Sequence, residues 1–180
     1  MARFDFEKKC RHPKICLRLM REFISDACDL LDEDGNPPAI EVKPGPMFCT
    51  FPYDAVSKVL ILVNYHEYKQ NKIAFREFNR NFKMRCEVAK GFSDLTLSLL
   101  HELGHCETQD DLPEEYDREK AYKMLKKYGK EDKRILNLMY FCLPDEYAAT
   151  QWAIEWLSDE DNRKRAKKFE KDFFKAWRGE

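Results

Sequence analysis

Residues 101–105 of this chain read H-E-L-G-H, and they lie within a run of apolar residues at helical spacing. In an α-helix, residues four apart lie on one face, about one turn above each other. A helix therefore places the imidazoles of His101 and His105 side by side, where both can bind one metal ion. Glu102 lies at the edge of the same face, close to water bound at the metal and poorly placed to be a ligand.

This combination of side chains is typical of a hydrolytic zinc site. In such sites imidazoles and a further donor hold Zn²⁺, which lowers the pKa of water, and a neighbouring carboxylate accepts the proton. The sequence thus predicts His101 and His105 as zinc ligands and Glu102 as the general base. The alternative is a helix that merely carries two histidines, and a third ligand is the feature that distinguishes the two interpretations.

A candidate third ligand, Glu146, lies near the start of a second predicted helix, with forty residues between it and His105. Glu146 shares one face of that helix with an apolar stripe, which consists of Ala149, Trp152, Ala153, Trp156 and Leu157. Because an unpaired carboxylate on a buried face is destabilising, Glu146 needs a strong partner, and a metal ion supplies one. The alternative is a half-solvated glutamate stabilised by the helix dipole.

The H-E-L-G-H run together with E-x-x-A-x-x-W-A at residues 146–153 resembles the ImmA/IrrE-like zinc metallopeptidases, members of the gluzincin group. The resemblance covers residues 56–64 and 92–157. It includes the strand-like run at residues 59–64, which is similar to the strand that lines the substrate in that family.

The resemblance implies one Zn²⁺ per chain, bound by His101, His105 and Glu146, with Glu102 as the general base. It also implies hydrolysis of peptide bonds. The chain departs from the group at Thr150, where many gluzincins carry an acid that orients a ligand histidine. The partner that orients the ligand histidines is therefore unassigned from the sequence.

Two further side chains are candidates for the chemistry. His66 follows the presumed substrate strand and is a candidate catalytic residue that contacts substrate or the oxyanion; the alternative is an exposed histidine at a strand end. Tyr147 adjoins Glu146, but a step of one residue turns it about 100° away from the ligand face.

Composition favours a cytoplasmic protein. The chain has 32 basic and 33 acidic residues, so its balanced charge disfavours nucleic-acid and membrane binding as general functions. Its start lacks the apolar core of a signal peptide. The seven cysteines include no C-x-x-C pair, which indicates reduced thiols, most of them buried, rather than a disulfide framework. The basic amphipathic segment at residues 162–177 is expected to pack its apolar side on the domain; phosphate binding by its basic side is the alternative.

The fold class predicted from these patterns is α+β: a mainly helical single domain spanning residues 1–180, with a small antiparallel three-stranded sheet and a zincin-like active-site helix. The predicted strands are residues 40–42, 47–51 and 58–65. The predicted helices are residues 13–31, 67–90, 94–106, 117–128, 131–142, 145–158 and 160–177.

The function predicted is that of a zinc-dependent metallopeptidase acting on an intracellular protein or peptide substrate, with a regulatory protein as a further candidate partner. An extended substrate is expected to pair with the strand near residues 60–64. The alternative is a non-catalytic zinc-containing module that binds a partner protein. An intact Glu102 favours the enzyme, because a purely structural zinc site needs no base. The oligomeric state is open.

Overall fold

The computed structural model describes residues 11–27, 39–43, 49–53, 58–62, 72–108, 111–128 and 133–180. The strands in these ranges are β1 (Ala39–Lys43), β2 (Cys49–Tyr53) and β3 (Lys58–Leu62). The helices are α1 (Pro13–Ala27), α2 (Lys72–Arg85), α3 (Asp94–Glu107), α4 (Arg118–Tyr128), α5 (Lys133–Tyr140), α6 (Pro144–Ser158) and α7 (Glu160–Arg178), with a 3₁₀ turn at Val88–Gly91.

The prediction of an antiparallel three-stranded sheet was wrong. Among the residues whose side chains are described, 82% are helical and none lies in a strand. The three short strands outside that part pair in the order β1-β3-β2, with β1 and β3 parallel and β2 and β3 antiparallel. The sequence pattern marks the strands but does not determine their order. Here β1 pairs with β3 and not with β2, the strand that follows it in the sequence.

α1 and α7 form one side of the helical core. The buried side of α7 consists of Ala166, Phe169, Phe173 and Ala176. The ring of Phe23 in α1 stacks on that of Phe169, with centroids 4.4 Å apart and planes inclined by 11°. The expectation that the apolar side of the C-terminal segment packs on the rest of the protein is therefore confirmed.

α3 is the central helix of the core. It begins, as predicted, after Ser93, whose hydroxyl accepts a hydrogen bond from the backbone N–H of Thr96 at 3.3 Å. The leucines of α3 are fully buried, namely Leu97, Leu99, Leu100 and Leu103. Such a helix is held by packing on all sides, so the orientation of its polar side chains is set by its neighbours.

A close crossing of α3 and α6 positions the site. A Cβ atom placed on Gly104 would lie 2.3 Å from the carbonyl oxygen of Ala149, well inside van der Waals contact. Glycine therefore lets the two backbones approach more closely than any other residue allows. Among the described residues, no helix has both the length and the apolarity needed to cross a membrane.

Candidate metal centre

The crossing of α3 and α6 brings the three predicted ligands together. One donor atom from each of His101, His105 and Glu146 lies within 4.8 Å of the others. Nε2 of His101 is 3.1 Å from Oε2 of Glu146, and Nε2 of His105 is 3.7 Å from the same oxygen. His101 and Glu146 are buried, whereas His105 is partly exposed. The cluster therefore lies at the edge of the core, with access through the His105 side.

These distances fit the donor set of a zinc site. Tetrahedral zinc with bonds of about 2.0–2.1 Å to nitrogen and oxygen separates its ligand atoms by about 3.3 Å. The two measured separations, 3.1 and 3.7 Å, lie on either side of that value. Two imidazoles and one carboxylate leave a fourth position open, as catalytic zinc sites do.

Burial and neighbouring charged or hydrogen-bonding groups act in opposite directions on the pKa values of the three residues. Burial opposes the charge on Glu146, but the imidazoles of His101 and His105 outweigh that effect and hold its pKa well below the ordinary value. Burial lowers the pKa of His101. In His105 the effect of burial is outweighed by Glu146 and by the charge of Glu102, so its pKa is raised. Glu146 is thus an ionised carboxylate at neutral pH.

The second carboxylate oxygen of Glu146 is held by residues that precede α6. Tyr140 donates its hydroxyl proton to Oε1, and Nη2 of Arg118 lies 3.3 Å from the same oxygen. Nε of Arg118 also pairs with Oδ2 of Asp145 at 2.8 Å, and Tyr116 donates to the other oxygen of Asp145. These contacts leave Oε2 of Glu146 directed at the two histidines.

Sequence reasoning missed Tyr116, Arg118 and Tyr140. All three lie within the forty residues between His105 and Glu146, a segment that carries no motif. The acids in the first turn of α6 are the one local signal, because a buried pair of carboxylates requires cationic or hydroxyl partners.

Glu102 lies beside the cluster without belonging to the group of potential ligands. Its side chain is partly buried. Burial lowers the pKa of His105 and of Arg118, but neighbouring acidic groups, Glu102 among them, outweigh that effect and raise both pKa values. Glu102 therefore interacts electrostatically with one candidate ligand and with Arg118, and its role as the general base stays a prediction.

The outer nitrogen of His101 also has a partner. Nδ1 of His101 lies 3.1 Å from the hydroxyl oxygen of Thr150, and both groups are buried. Thr150 in turn donates its hydroxyl proton to the backbone carbonyl of Glu146, at 2.9 Å. The residue that the sequence left without a role thus contacts a candidate ligand directly.

The remaining predicted site residues are placed elsewhere. His66 lies outside the described residues. Tyr147 is 52% exposed, and the guanidinium of Arg85 lies over its ring at 4.4 Å, on a different face of α6 from Glu146. Cys106, which follows His105 directly in the sequence, is a buried thiol that does not belong to the group of potential ligands. Four cysteines have described side chains, Cys16, Cys86, Cys106 and Cys142, and none of the four forms a disulfide.

Part of the expected substrate strand is paired within the sheet, and residues 63 and 64 lie outside the described residues. Leu60–Leu62 belongs to β3, which is the central strand of the sheet and pairs with a neighbour on each side. Because both of its edges are occupied, these residues have no free backbone groups with which to bind an extended peptide.

Comparison of the chain with family models, with curated proteins and with solved structures gave no match.

Proposed function

We propose that this protein is a zinc-dependent metallopeptidase of the ImmA/IrrE-like kind. The observation that supports it is the convergence of two imidazoles on α3 and one ionised carboxylate on α6, with Glu102 next to His101 in α3. Imidazole and carboxylate groups at the edge of the core need a polar or charged partner, and one divalent cation would be bound by all three donors together.

The roles of the side chains follow from their positions. His101, His105 and Glu146 would hold one Zn²⁺, which when bound supplies a Lewis acid for attack on a peptide carbonyl. Glu102 takes the proton of the attacking water and gives it to the leaving amine nitrogen, which completes cleavage of the C–N bond. Arg118 and Tyr140 keep the second oxygen of Glu146 occupied, so that Oε2 remains directed at the histidines.

The proposed substrate is a protein or peptide, and the proposed location is the cytoplasm, where the described cysteines would remain reduced. A regulatory protein is a further proposed partner. We propose no role in nucleic-acid binding.

The first experiment measures metal. We expect the purified protein to contain about one zinc per chain by elemental analysis after expression in zinc-supplemented medium. His105→Ala and Glu146→Gln should each lose most of it, because each removes one donor. Stoichiometric iron or manganese instead of zinc would contradict the choice of metal, and a folded protein that takes up no metal would refute the site.

The second experiment measures cleavage. The zinc-loaded protein is incubated with a mixed library of peptides from a digested proteome, and new termini are detected by mass spectrometry. Glu102→Gln should retain zinc and lose activity by about 10²-fold or more, because it keeps the size of the side chain but removes the basic oxygen. Glu155→Gln removes a carboxylate from the exposed side of α6 and should behave like the parent.

The outcomes separate the two functional classes. Zinc binding with cleavage that depends on Glu102 supports the peptidase. Zinc binding without cleavage in any variant would refute it and would favour the non-catalytic binding module.

A further inference from the structure

We propose that the hydroxyl group of Thr150 selects the tautomer of His101 that carries its proton on Nδ1, so that Nε2 keeps its lone pair for the metal. The inference rests on the proposed metal function and assigns a positioning residue to it. Thr150 does not touch the proposed metal, and it acts through the imidazole of His101.

A count of protons leads to this assignment. A threonine hydroxyl has one proton to donate. Thr150 places that proton on the carbonyl oxygen of Glu146 at 2.9 Å, since the carbonyl itself has none. With its proton on that carbonyl, Thr150 can accept a hydrogen bond from Nδ1 of His101, 3.1 Å away, so the Nδ1–H tautomer is the one that uses both contacts of the hydroxyl.

The backbone of α6 fixes the direction of this hydroxyl. Thr150 lies one turn after Glu146, and its bond to the carbonyl four residues earlier is the usual bond of a threonine within a helix. The branched Cβ restricts the side chain to few rotamers. Thr150 is also 4% exposed, so water does not readily replace it as the partner of Nδ1.

The tautomer matters because a carboxylate faces the other nitrogen. Nε2 of His101 lies 3.1 Å from Oε2 of Glu146. Without Thr150, a neutral imidazole would place its proton on Nε2 and donate it to that carboxylate. The nitrogen lone pair that a cation needs would then carry a proton. With Thr150, that tautomer has a cost: the single hydroxyl proton must turn to Nδ1 and give up its bond to the carbonyl of Glu146.

The same contact acts when a cation is bound. Nε2 is then occupied by the metal, so the proton must be on Nδ1, inside the core. A buried N–H requires an acceptor, and Thr150 supplies one. Partners of this kind typically change metal affinity by about 10–100-fold.

The test uses three substitutions. Thr150→Val removes the hydroxyl at nearly constant volume, and Thr150→Ser keeps the hydroxyl. Thr108→Val is the matched control, because the hydroxyl of Thr108 is also buried and makes the same kind of bond, to the carbonyl of Gly104 at 2.7 Å, rather than to a candidate ligand. Thr150→Ala replaces Thr150→Val if the latter does not fold.

Two measurements are made on each variant. Nitrogen-15 NMR of the metal-free protein, at a pH where the imidazole is neutral, reports which ring nitrogen of His101 carries the proton. The four histidines are few enough to assign by single substitutions. Zinc affinity is measured by competition with a chromophoric chelator.

We expect Thr150→Val to move the proton of His101 toward Nε2 and to weaken zinc binding by about 10–100-fold, while Thr150→Ser and Thr108→Val remain near the parent. An unchanged tautomer and an unchanged zinc affinity in folded Thr150→Val would overturn the inference. Equal weakening in Thr108→Val would also overturn it, because the effect would then be general destabilisation. If the parent itself bound no zinc, the proposed function would fail instead.

Discussion

Gly104→Ala is the substitution most directly tied to the geometry of the site. Helix propensity alone favours alanine over glycine in the middle of α3 by about 1 kcal/mol. The crossing with α6 opposes this preference. The added Cβ would lie 2.3 Å from the carbonyl oxygen of Ala149 and 2.8 Å from its carbonyl carbon and Cα. These are backbone atoms, which cannot rotate away as the end of a side chain can.

The helices must therefore separate. Ordinary contact begins at 3.4 Å, so the shortest of these distances has to increase by about 1 Å. Overpacking of this kind destabilises by about 1–3 kcal/mol, and a clash with backbone lies at the upper end of that range. After the gain in propensity is subtracted, we expect Gly104→Ala to lower the free energy of unfolding by about 2 kcal/mol.

The same displacement separates the candidate ligands, because two of them lie on α3 and the third on α6. Metal–ligand distances tolerate changes of only about 0.2 Å, so zinc affinity should fall by about 10-fold or more. Urea denaturation and chelator competition measure the two effects. Gly91→Ala is the control, since the nearest atom to its added Cβ is the flexible end of Lys167 at 3.9 Å. A Gly104→Ala variant as stable as the parent, with the same zinc affinity, would refute the close crossing.

Three further outcomes are expected. Phe23→Ala should lower the free energy of unfolding by about 3–5 kcal/mol in urea denaturation, because Phe23 is buried and stacks on Phe169; a loss below about 1 kcal/mol would contradict the packing of α1 on α7. Asp159 accepts a hydrogen bond from the backbone N–H of Asn162, which lowers its pKa, so its contribution to stability is present above the unfolded-state pKa and is lost as the pH falls through the folded-state pKa. Thermal melting from neutral to acidic pH should therefore show a smaller acid loss in Asp159→Asn than in the parent, and identical profiles would argue against this cap. Melting temperatures with and without reductant should agree, because the four cysteines whose side chains are described form no disulfide; a fall of many degrees on reduction would indicate a structural disulfide.

Local periodicity was sufficient for part of the site. The spacing of His101, Glu102 and His105 depends only on the turn of one helix, and Ser93 marks where that helix begins. The apolar stripe of α6 was sufficient to place Glu146 on a buried face. α3 and α6 accordingly begin and end within about one residue of the predicted bounds, 94–106 and 145–158.

The tertiary structure decided the rest. The sequence pattern marked three strands but not their order, so the sheet was predicted with the wrong pairing. Arg118, Tyr140 and Thr150 acquire their roles through contacts with residues on other helices or turns, which no repeat in the sequence encodes. The contact between Thr150 and His101 also depends on how closely and at what angle α3 and α6 cross. That crossing is set by the shape of both surfaces together, above all by the absence of a side chain at Gly104 where Ala149 approaches.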